Sequence, residues 1–323
     1  MTTAPGADTE SQVGLAPPGW IGAEAMARHL PMADAIDVLE QVLRDGFDPE
    51  HDGERTRLQT PYGQLLQMPS ADDAWCGTKL VSICPGNEGA GLPVIQGVYV
   101  LFDGPTLRPV SLLDGGALTT LRTPAVTGLA VRHLAPPRAR RLTVFGTGVQ
   151  ARAHIEALAA VLDLDHVDVV GRTPSKAEDL AGTITDLGIS AATAGPESVG
   201  EADVIVCCTS AREPLFDGSL VAPHALVAAI GAHDTDAREV DSVLVRDAAC
   251  VVESRSSAQR EAGDVMIPVA EGVLAIEDLI GLRDVVRGAI APPSDRPRLF
   301  KGTGMPWQDL AVSAGIYERA QRS

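Results

Sequence analysis

The chain has 323 residues, 45% of them hydrophobic, and a formal net charge of -17 at pH 7. That length allows two domains with proper cores, and so acidic a balance argues against nucleic acid or an anionic membrane as partner, since either requires a basic surface. Five cysteines, Cys76, Cys84, Cys207, Cys208 and Cys250, are odd in number and lack Cys-x-x-Cys spacing, so neither a disulfide framework nor a zinc site is expected.

Residues 1 to about 18 are rich in Thr, Ala, Pro and Gly, without a basic start or an apolar stretch. They read as a flexible tail rather than a signal peptide, and with reduced thiols this points to the cytoplasm. No apolar run is long enough to span a membrane. From Pro31 to Gly46 the residues Ala35, Ile36, Leu39, Val42 and Leu43 recur at helical spacing, which predicts an amphipathic helix closed by glycine. Strand-like runs follow at Gln64 to Met68, Thr78 to Cys84, Val94 to Phe102 and Pro109 to Leu113, divided by Pro, Gly and Asp turns. Leu118 to Leu134 reads as helix, which Pro124 breaks or restarts with Thr123 as cap.

The apolar run Arg141 to Phe145 then leads straight into Gly146-Thr147-Gly148-Val149-Gln150-Ala151 and a helical segment to about Leu162. In a Gly-x-Gly-x-x-Ala loop, the first glycine allows a sharp turn off the strand and the second leaves room for a pyrophosphate. The alanine lets the helix pack close on the sheet. Glycines also punctuate ordinary loops, but the next apolar run, His166 to Val170, completes the strand, helix, strand unit that dinucleotide binding requires. After it, where an NAD-preferring site carries an acid for the ribose, stand Gly171-Arg172-Thr173. Arg172, with Thr173 and Lys176, suits a 2'-phosphate and favours NADP(H) over NAD(H). The alternative is a solvated loop cation, with Thr173 merely capping the helix that opens at Pro174. Further strands are expected at Val204 to Cys208, Ala225 to Ile230 and Cys250 to Glu253. A terminal helix, placed to return to the first domain, is expected from Pro306 to Arg322.

Beyond the glycine loop, several segments recur in a telling order. They are Met68-Pro69, Gly77 to Val81 with Pro85-Gly86-Asn87, Leu118 to Thr123, Asp203 to Val206 leading to Thr209-Ser210, Arg238 to Asp241, Gly263-Asp264, and Lys301 to Met305 with Asp309. With Gly146 to Ala151 they resemble the ornithine cyclodeaminase/mu-crystallin family. The resemblance implies an α/β protein with a Rossmann-type dinucleotide-binding domain at 137–302. A mixed α+β substrate-binding and dimerisation domain would comprise 19–136 and 303–323, in a homodimer. It also implies chemistry at the Cα–N bond of a small amino or imino acid.

The same resemblance assigns candidate roles. Arg55, with Arg57 as competitor, and Arg122 match the carboxylate-binding arginines, with Thr123 beside the latter. Lys79 matches the catalytic lysine, the plain alternative being a lysine snorkelling from an edge strand. Thr209, Ser210 and Asp309 match positions near the cofactor, although the hydroxyls would equally satisfy loop backbone and Asp309 a neighbouring base. Cyclodeaminases carry an Asp where this chain, aligned without a gap to Glu239, has His233; a one-residue slip would restore Asp234. Imidazole is a poor anchor for an ammonium group but can serve as acid or base, or simply shape the loop. The first expectation is therefore an NAD(P)H-dependent reductase of a ketimine or cyclic imine carboxylate, or the reverse dehydrogenase. The second is an ornithine-type cyclodeaminase recycling NAD, and the third a nucleotide-dependent binding protein without turnover.

Overall fold

In a computed structural model, residues 17–322 are described; most of the expected N-terminal tail lies outside them. The first sheet is built from β1 (Gly19–Ile21), β2 (Thr56–Thr60), β3 (Gly63–Ala71), β4 (Trp75–Ile83), β5 (Ile95–Asp103) and β6 (Pro109–Asp114). Their order is β1-β6-β5-β4-β3-β2, antiparallel apart from the β1–β6 pair. Alternation puts Leu66 and Met68 of β3, Lys79 of β4, Tyr99 and Leu101 of β5 and Leu113 of β6 on the buried face. Met68, Lys79, Tyr99 and Leu113 are successive cross-strand partners, so Lys79 sits in the middle of an otherwise uncharged buried row. The helices Gly115–Leu134 and Pro306–Gln321 pack on this sheet, and the helix Met32–Asp45 packs on both. The strand β2, polar in sequence and exposed throughout, escapes the alternation rule at the sheet's edge.

Asp114 caps the helix Gly115–Leu134 by accepting from the backbone of Gly116 and Ala117, and the helix runs unbroken through Pro124. This corrects the expected break and the role of Thr123 as a cap. A proline inside a helix costs about 3 kcal/mol, but Leu118, Ala125, Val126, Leu129, Ala130 and Val131 are all buried along this one and hold it by packing.

The second sheet comprises β7 (Arg141–Phe145), β8 (His166–Val170), β9 (Ser190–Thr193), β10 (Val204–Cys207), β11 (Leu226–Ala229), β12 (Ala249–Val252), β13 (Ile280–Gly281) and β14 (Arg298–Lys301). All its ladders are parallel, in the order β13-β12-β14-β11-β10-β7-β8-β9. Its central strands are buried along their whole length, as continuous apolar runs between two helical layers should be. The chain reverses its direction of travel across the sheet between β7 and β10, and ligands of such folds bind at the carboxyl ends of the strands there.

A buried histidine joins the two halves. His154, in the helix Val149–Ala159, lies with Nδ1 2.7 Å from the Gln150 carbonyl and Nε2 3.1 Å from Oγ1 of Thr127 in the helix Gly115–Leu134. Since a carbonyl only accepts, Nδ1 carries the proton, which leaves Nε2 as an acceptor facing the Thr127 hydroxyl; that hydroxyl also lies within reach of the Thr123 carbonyl, at 3.2 Å. Burial pulls the His154 pKa down from 6.5 to about 4. Below pH 6.5 the unfolded chain therefore takes up a proton that the folded chain refuses until about pH 4. The contribution of His154 to stability is full above pH 6.5 and falls by on the order of 3 kcal/mol across that window. Denaturant midpoints measured between pH 7 and 4.5 should show this loss, and His154→Gln should show a shallower one; equal slopes would remove His154 as the cause.

Candidate active site

β7 ends at Phe145, and Gly146 turns the chain with φ of 115°, where a Cβ would lie 2.6 Å from the Cys208 carbonyl oxygen. Gly148 is different. It caps the helix Val149–Ala159 in an extended conformation, and a Cβ there would meet nothing within 4 Å. The fold needs a glycine at 146, whereas at 148 the missing side chain leaves space above the free N–H groups of the helix's first turn. Ala151 is fully buried beneath it.

This turn opens on a cavity of about 580 Å³ at the carboxyl ends of the strands, lined by Gly146, Thr147, Gly148, Arg172, Thr173, Lys176, Thr209 and Ser210 among others. Thr173 stands at the N-cap of the helix Pro174–Asp186, but its side chain makes no capping hydrogen bond. Arg172 and Lys176 are exposed and have no carboxylate partner among the described residues. The residues suit a dinucleotide: free helix amides and a bare glycine for the pyrophosphate, unpaired cations at the far end.

A second cavity, of about 550 Å³, adjoins it, with Gly148, Cys208, Thr209 and Ser210 lining both. Its wall brings together Arg55, Lys79, Arg122, Thr123, Val149, Gln150 and His233, with apolar surface from Leu66, Met68, Val81 and Val126. Lys79, on a central strand and 1% exposed, is no snorkelling edge lysine. Its Nζ donates to Asp309 Oδ1 at 2.8 Å and to Thr119 Oγ1 at 3.2 Å. Burial, and then the neighbouring Arg122, lower its pKa to about 7, against the opposing pull of Asp309. Arg122 gives Nε to the same Asp309 oxygen at 3.2 Å and Nη1 to Gln308 Oε1 at 3.1 Å. Asp309 is thus wholly buried between the two cations and lines neither cavity. Thr123 Oγ1 is buried without a partner.

Arg55 reaches this cavity and Arg57 does not: Arg57 lines an adjoining polar hollow and pairs with Asp234 at 3.3 Å. That pairing also keeps Asp234 off the wall, where the exposed His233 stands instead, Nδ1 3.1 Å from the Gly231 carbonyl. Thr209 uses its hydroxyl on the loop, donating to Glu239 at 2.7 Å and accepting from the Ala211 amide at 3.1 Å. Ser210 lines both cavities with its side chain exposed.

Glu239, which the sequence offered only as part of the segment Arg238 to Asp241, braces the loops of the site from behind. One oxygen takes the amide and hydroxyl of Thr209, and the other takes the Gly231 amide at 2.6 Å, tying the ends of β10 and β11 together. Its carboxyl pKa is raised by burial, with Lys301 acting the other way. Behind it, Lys301 pairs with Asp264 at 2.9 Å, both buried, and Asp264 accepts from the amides of Glu239 and Val240. The signal in the sequence was that these residues fall in the segments Arg238 to Asp241, Gly263-Asp264 and Lys301 to Met305, without any sign that the segments meet.

A buried ammonium beside Arg122 thus lines a cavity that adjoins a cleft suited to a dinucleotide. The family model described as "Ornithine cyclodeaminase/mu-crystallin family" matches residues 23–323. This chain belongs to that family. It is 33% identical over 312 residues to ketimine reductase mu-crystallin of Mus musculus, covering 93% of this chain and 97% of the relative. It is 34% identical over 313 residues to delta(1)-pyrroline-2-carboxylate reductase of Bacillus cereus, covering 93% and 96%. The structure of Thermococcus litoralis delta(1)-pyrroline-2-carboxylate reductase, in complex with NADH and L-proline, superposes with a TM-score of 0.87 at 28% identity, over 94% of this chain and 97% of that one.

Because nothing in the fold fills the space at Gly148, Gly148→Ala should leave the melting temperature nearly unchanged, within about 0.5 kcal/mol of stability. Dinucleotide affinity should fall about tenfold or more, since the new methyl sits where a pyrophosphate needs bare backbone. Titration of NADPH fluorescence checks this; unaltered affinity would place the phosphates elsewhere.

Proposed function

We propose that this chain is an NAD(P)H-dependent reductase that converts a ketimine or cyclic imine carboxylate to an amino acid and runs in reverse as an amino-acid dehydrogenase. The observation that carries the reading is Lys79, an ammonium buried on the wall of a cavity continuous with the dinucleotide cleft. A nicotinamide bound there supplies the hydride that the imine carbon accepts. Lys79 Nζ gives a proton to the imine nitrogen, so the C=N double bond becomes CH–NH and the lysine is left neutral. Arg55 and Arg122 hold the substrate carboxylate, and Thr123 offers a free hydroxyl beside them. His233 closes the outer wall, and Thr209 and Ser210 border the nicotinamide end.

Cyclodeamination fits this cavity less well, because it requires a carboxylate to orient a distal ammonium. His233 occupies the expected position, and the carboxylate on the wall, Glu253, already accepts four hydrogen bonds. A binding role without turnover gives no reason to bury Lys79 with a pKa near 7. Arg172, Thr173 and Lys176, in place of an acid, support NADP(H) as the preferred cofactor. A cytoplasmic homodimer completes the reading, with 137–302 holding the dinucleotide and 19–136 with 303–323 forming the substrate and dimer part. The exposed edge strand β2 and its cross-strand apolar pair Leu58 and Leu65 support such an interface.

Incubation with NADPH and piperideine- or pyrroline-2-carboxylate should consume the cofactor; release of ammonia and proline from ornithine without net cofactor change would overturn the reading. Lys79→Met should lower kcat by about 10²-fold or more with NADPH affinity kept. Since the ammonium form is the proton donor, reduction should be fast below about pH 7 and decline above it, the reverse reaction gaining in the same range. A pH profile lacking this limb would take Lys79 out of proton transfer. Arg172→Asp should move preference from NADPH towards NADH, measured as the ratio of kcat/KM values; a constant ratio would assign the 2'-phosphate to another group.

A further inference from the structure

We propose that Glu253 is the positioning residue that aims both substrate arginines, and that it does so by accepting hydrogen bonds at both of its oxygens. The proposal rests on the reading that Arg55 and Arg122 hold a carboxylate. Glu253 follows the last residue of β12 and is almost fully buried. Its Oε1 accepts from Gln308 Nε2 at 2.8 Å, and Gln308 Oε1 in turn accepts from Arg122 Nη1 at 3.1 Å. Its Oε2 accepts from the amides of Thr303 and Gly304 at 3.0 and 2.9 Å and from the Thr303 hydroxyl at 3.0 Å. The carbonyls of those same two residues accept from Arg55 Nη2, at 3.1 and 3.0 Å. One carboxylate thus stands behind both guanidinium groups, one oxygen for each.

The direction of every bond in this chain is forced. Arginine only donates, so Gln308 must turn its oxygen to Arg122 and its nitrogen to Glu253. Backbone amides also only donate, so the other side of Glu253 must accept as well. A neutral amide at position 253 has one acceptor and one donor and cannot satisfy both sides. With Asp309 on Arg122 Nε, Gln308 on Arg122 Nη1 and Glu261 on Arg55 Nη1, the N–H groups left for a substrate are those of Arg122 Nη2, the second N–H of each Nη1, and Arg55 Nε, the last buried without a partner among the described residues. Where those few N–H groups point is what Glu253 decides, and misplacement by about 1 Å can cost on the order of 10²-fold.

The polarity argument supplies its own control. In Glu253→Gln the new amide nitrogen faces that of Gln308, and turning Gln308 over would set its nitrogen against Arg122. In Gln308→Glu two carboxylates face each other. In the double variant Glu253→Gln/Gln308→Glu the pattern closes again. The amide nitrogen at 253 donates to the carboxylate at 308, whose other oxygen accepts from Arg122, and the amide oxygen still takes the Thr303 and Gly304 amides.

Each single change should raise KM for the imine carboxylate by about ten- to a hundredfold, with kcat and the NADPH dissociation constant within about threefold of the parent. The double variant should recover most of that loss. An unchanged KM in the singles overturns the proposal, as does a double variant as poor as the product of the two, or a loss of NADPH affinity matching the rise in KM. L-proline binding in the presence of oxidised dinucleotide is followed in the same four proteins. If the parent proves unable to reduce imines, the functional reading fails, yet the same pattern of loss and recovery in proline affinity still decides the role of Glu253.

Discussion

Asp309 sharing one oxygen between Lys79 and Arg122 is the contact around which the site is organised. Two cations in an apolar interior repel each other and lose hydration, a cost of several kcal/mol per ion. A single carboxylate, itself wholly buried, makes their proximity tolerable. It does so incompletely, since burial and Arg122 still leave Lys79 with a pKa near neutrality. The helix Pro306–Gln321 must therefore lie against the first sheet before the lysine can be accommodated. Its seat is secured away from the site: the Trp307 amide donates to Asp52, Phe47 packs against Trp307, and Trp75 meets Tyr317 edge-on.

The two sheets contribute unlike things. The parallel sheet presents strand ends, where backbone amides and short loops converge, and stiffens them with buried carboxylates: Glu239 across β10 and β11, Glu253 beyond β12. The antiparallel sheet contributes a broad face from which one lysine and several apolar side chains project. The helix Gly115–Leu134 carries Arg122 and Thr123, and His154 with Thr127 ties the helix of the glycine turn to it.

Legibility in the sequence followed range of interaction. The glycine turn could be read because its determinants lie within six consecutive residues, and the alternating strands β3 to β6 because one face is buried. The edge strand β2 was invisible, since Thr56–Thr60 is exposed on both faces and has no alternation to detect. The strand β14 was hidden by Arg298 and Lys301, whose partners His224, Ala232 and Asp264 are remote in the chain. Pro124 misled for the opposite reason: a local rule was overridden by packing around the helix. At the site, family resemblance pointed to Lys79, Arg55 and Arg122 individually. That Asp309 sits between two of them was not readable, because the contact spans 230 residues and needs the terminal helix in place. Nor was the choice of Arg55 over Arg57 readable: Arg55 precedes β2 and Arg57 lies within it, so no strand alternation relates the two, and only the fold says which of them meets the cavity.

The depressed basicity of Lys79 also has a meaning for the chain's evolution. A buried lysine that releases its proton near pH 7, rather than at the 10.5 usual for the free side chain, makes the folded state a poorer proton binder than the unfolded one. Stability is therefore lowest below about pH 7 and grows as pH rises towards 10.5. At neutral pH the folded chain holds this ammonium against its own stability, and a neutral side chain of similar bulk at this position would relieve the strain. On the proposed reading, in which Lys79 donates the proton, a chain selected for robustness alone would carry no lysine here, and its cost is the trade-off between activity and stability that active sites impose on their scaffolds.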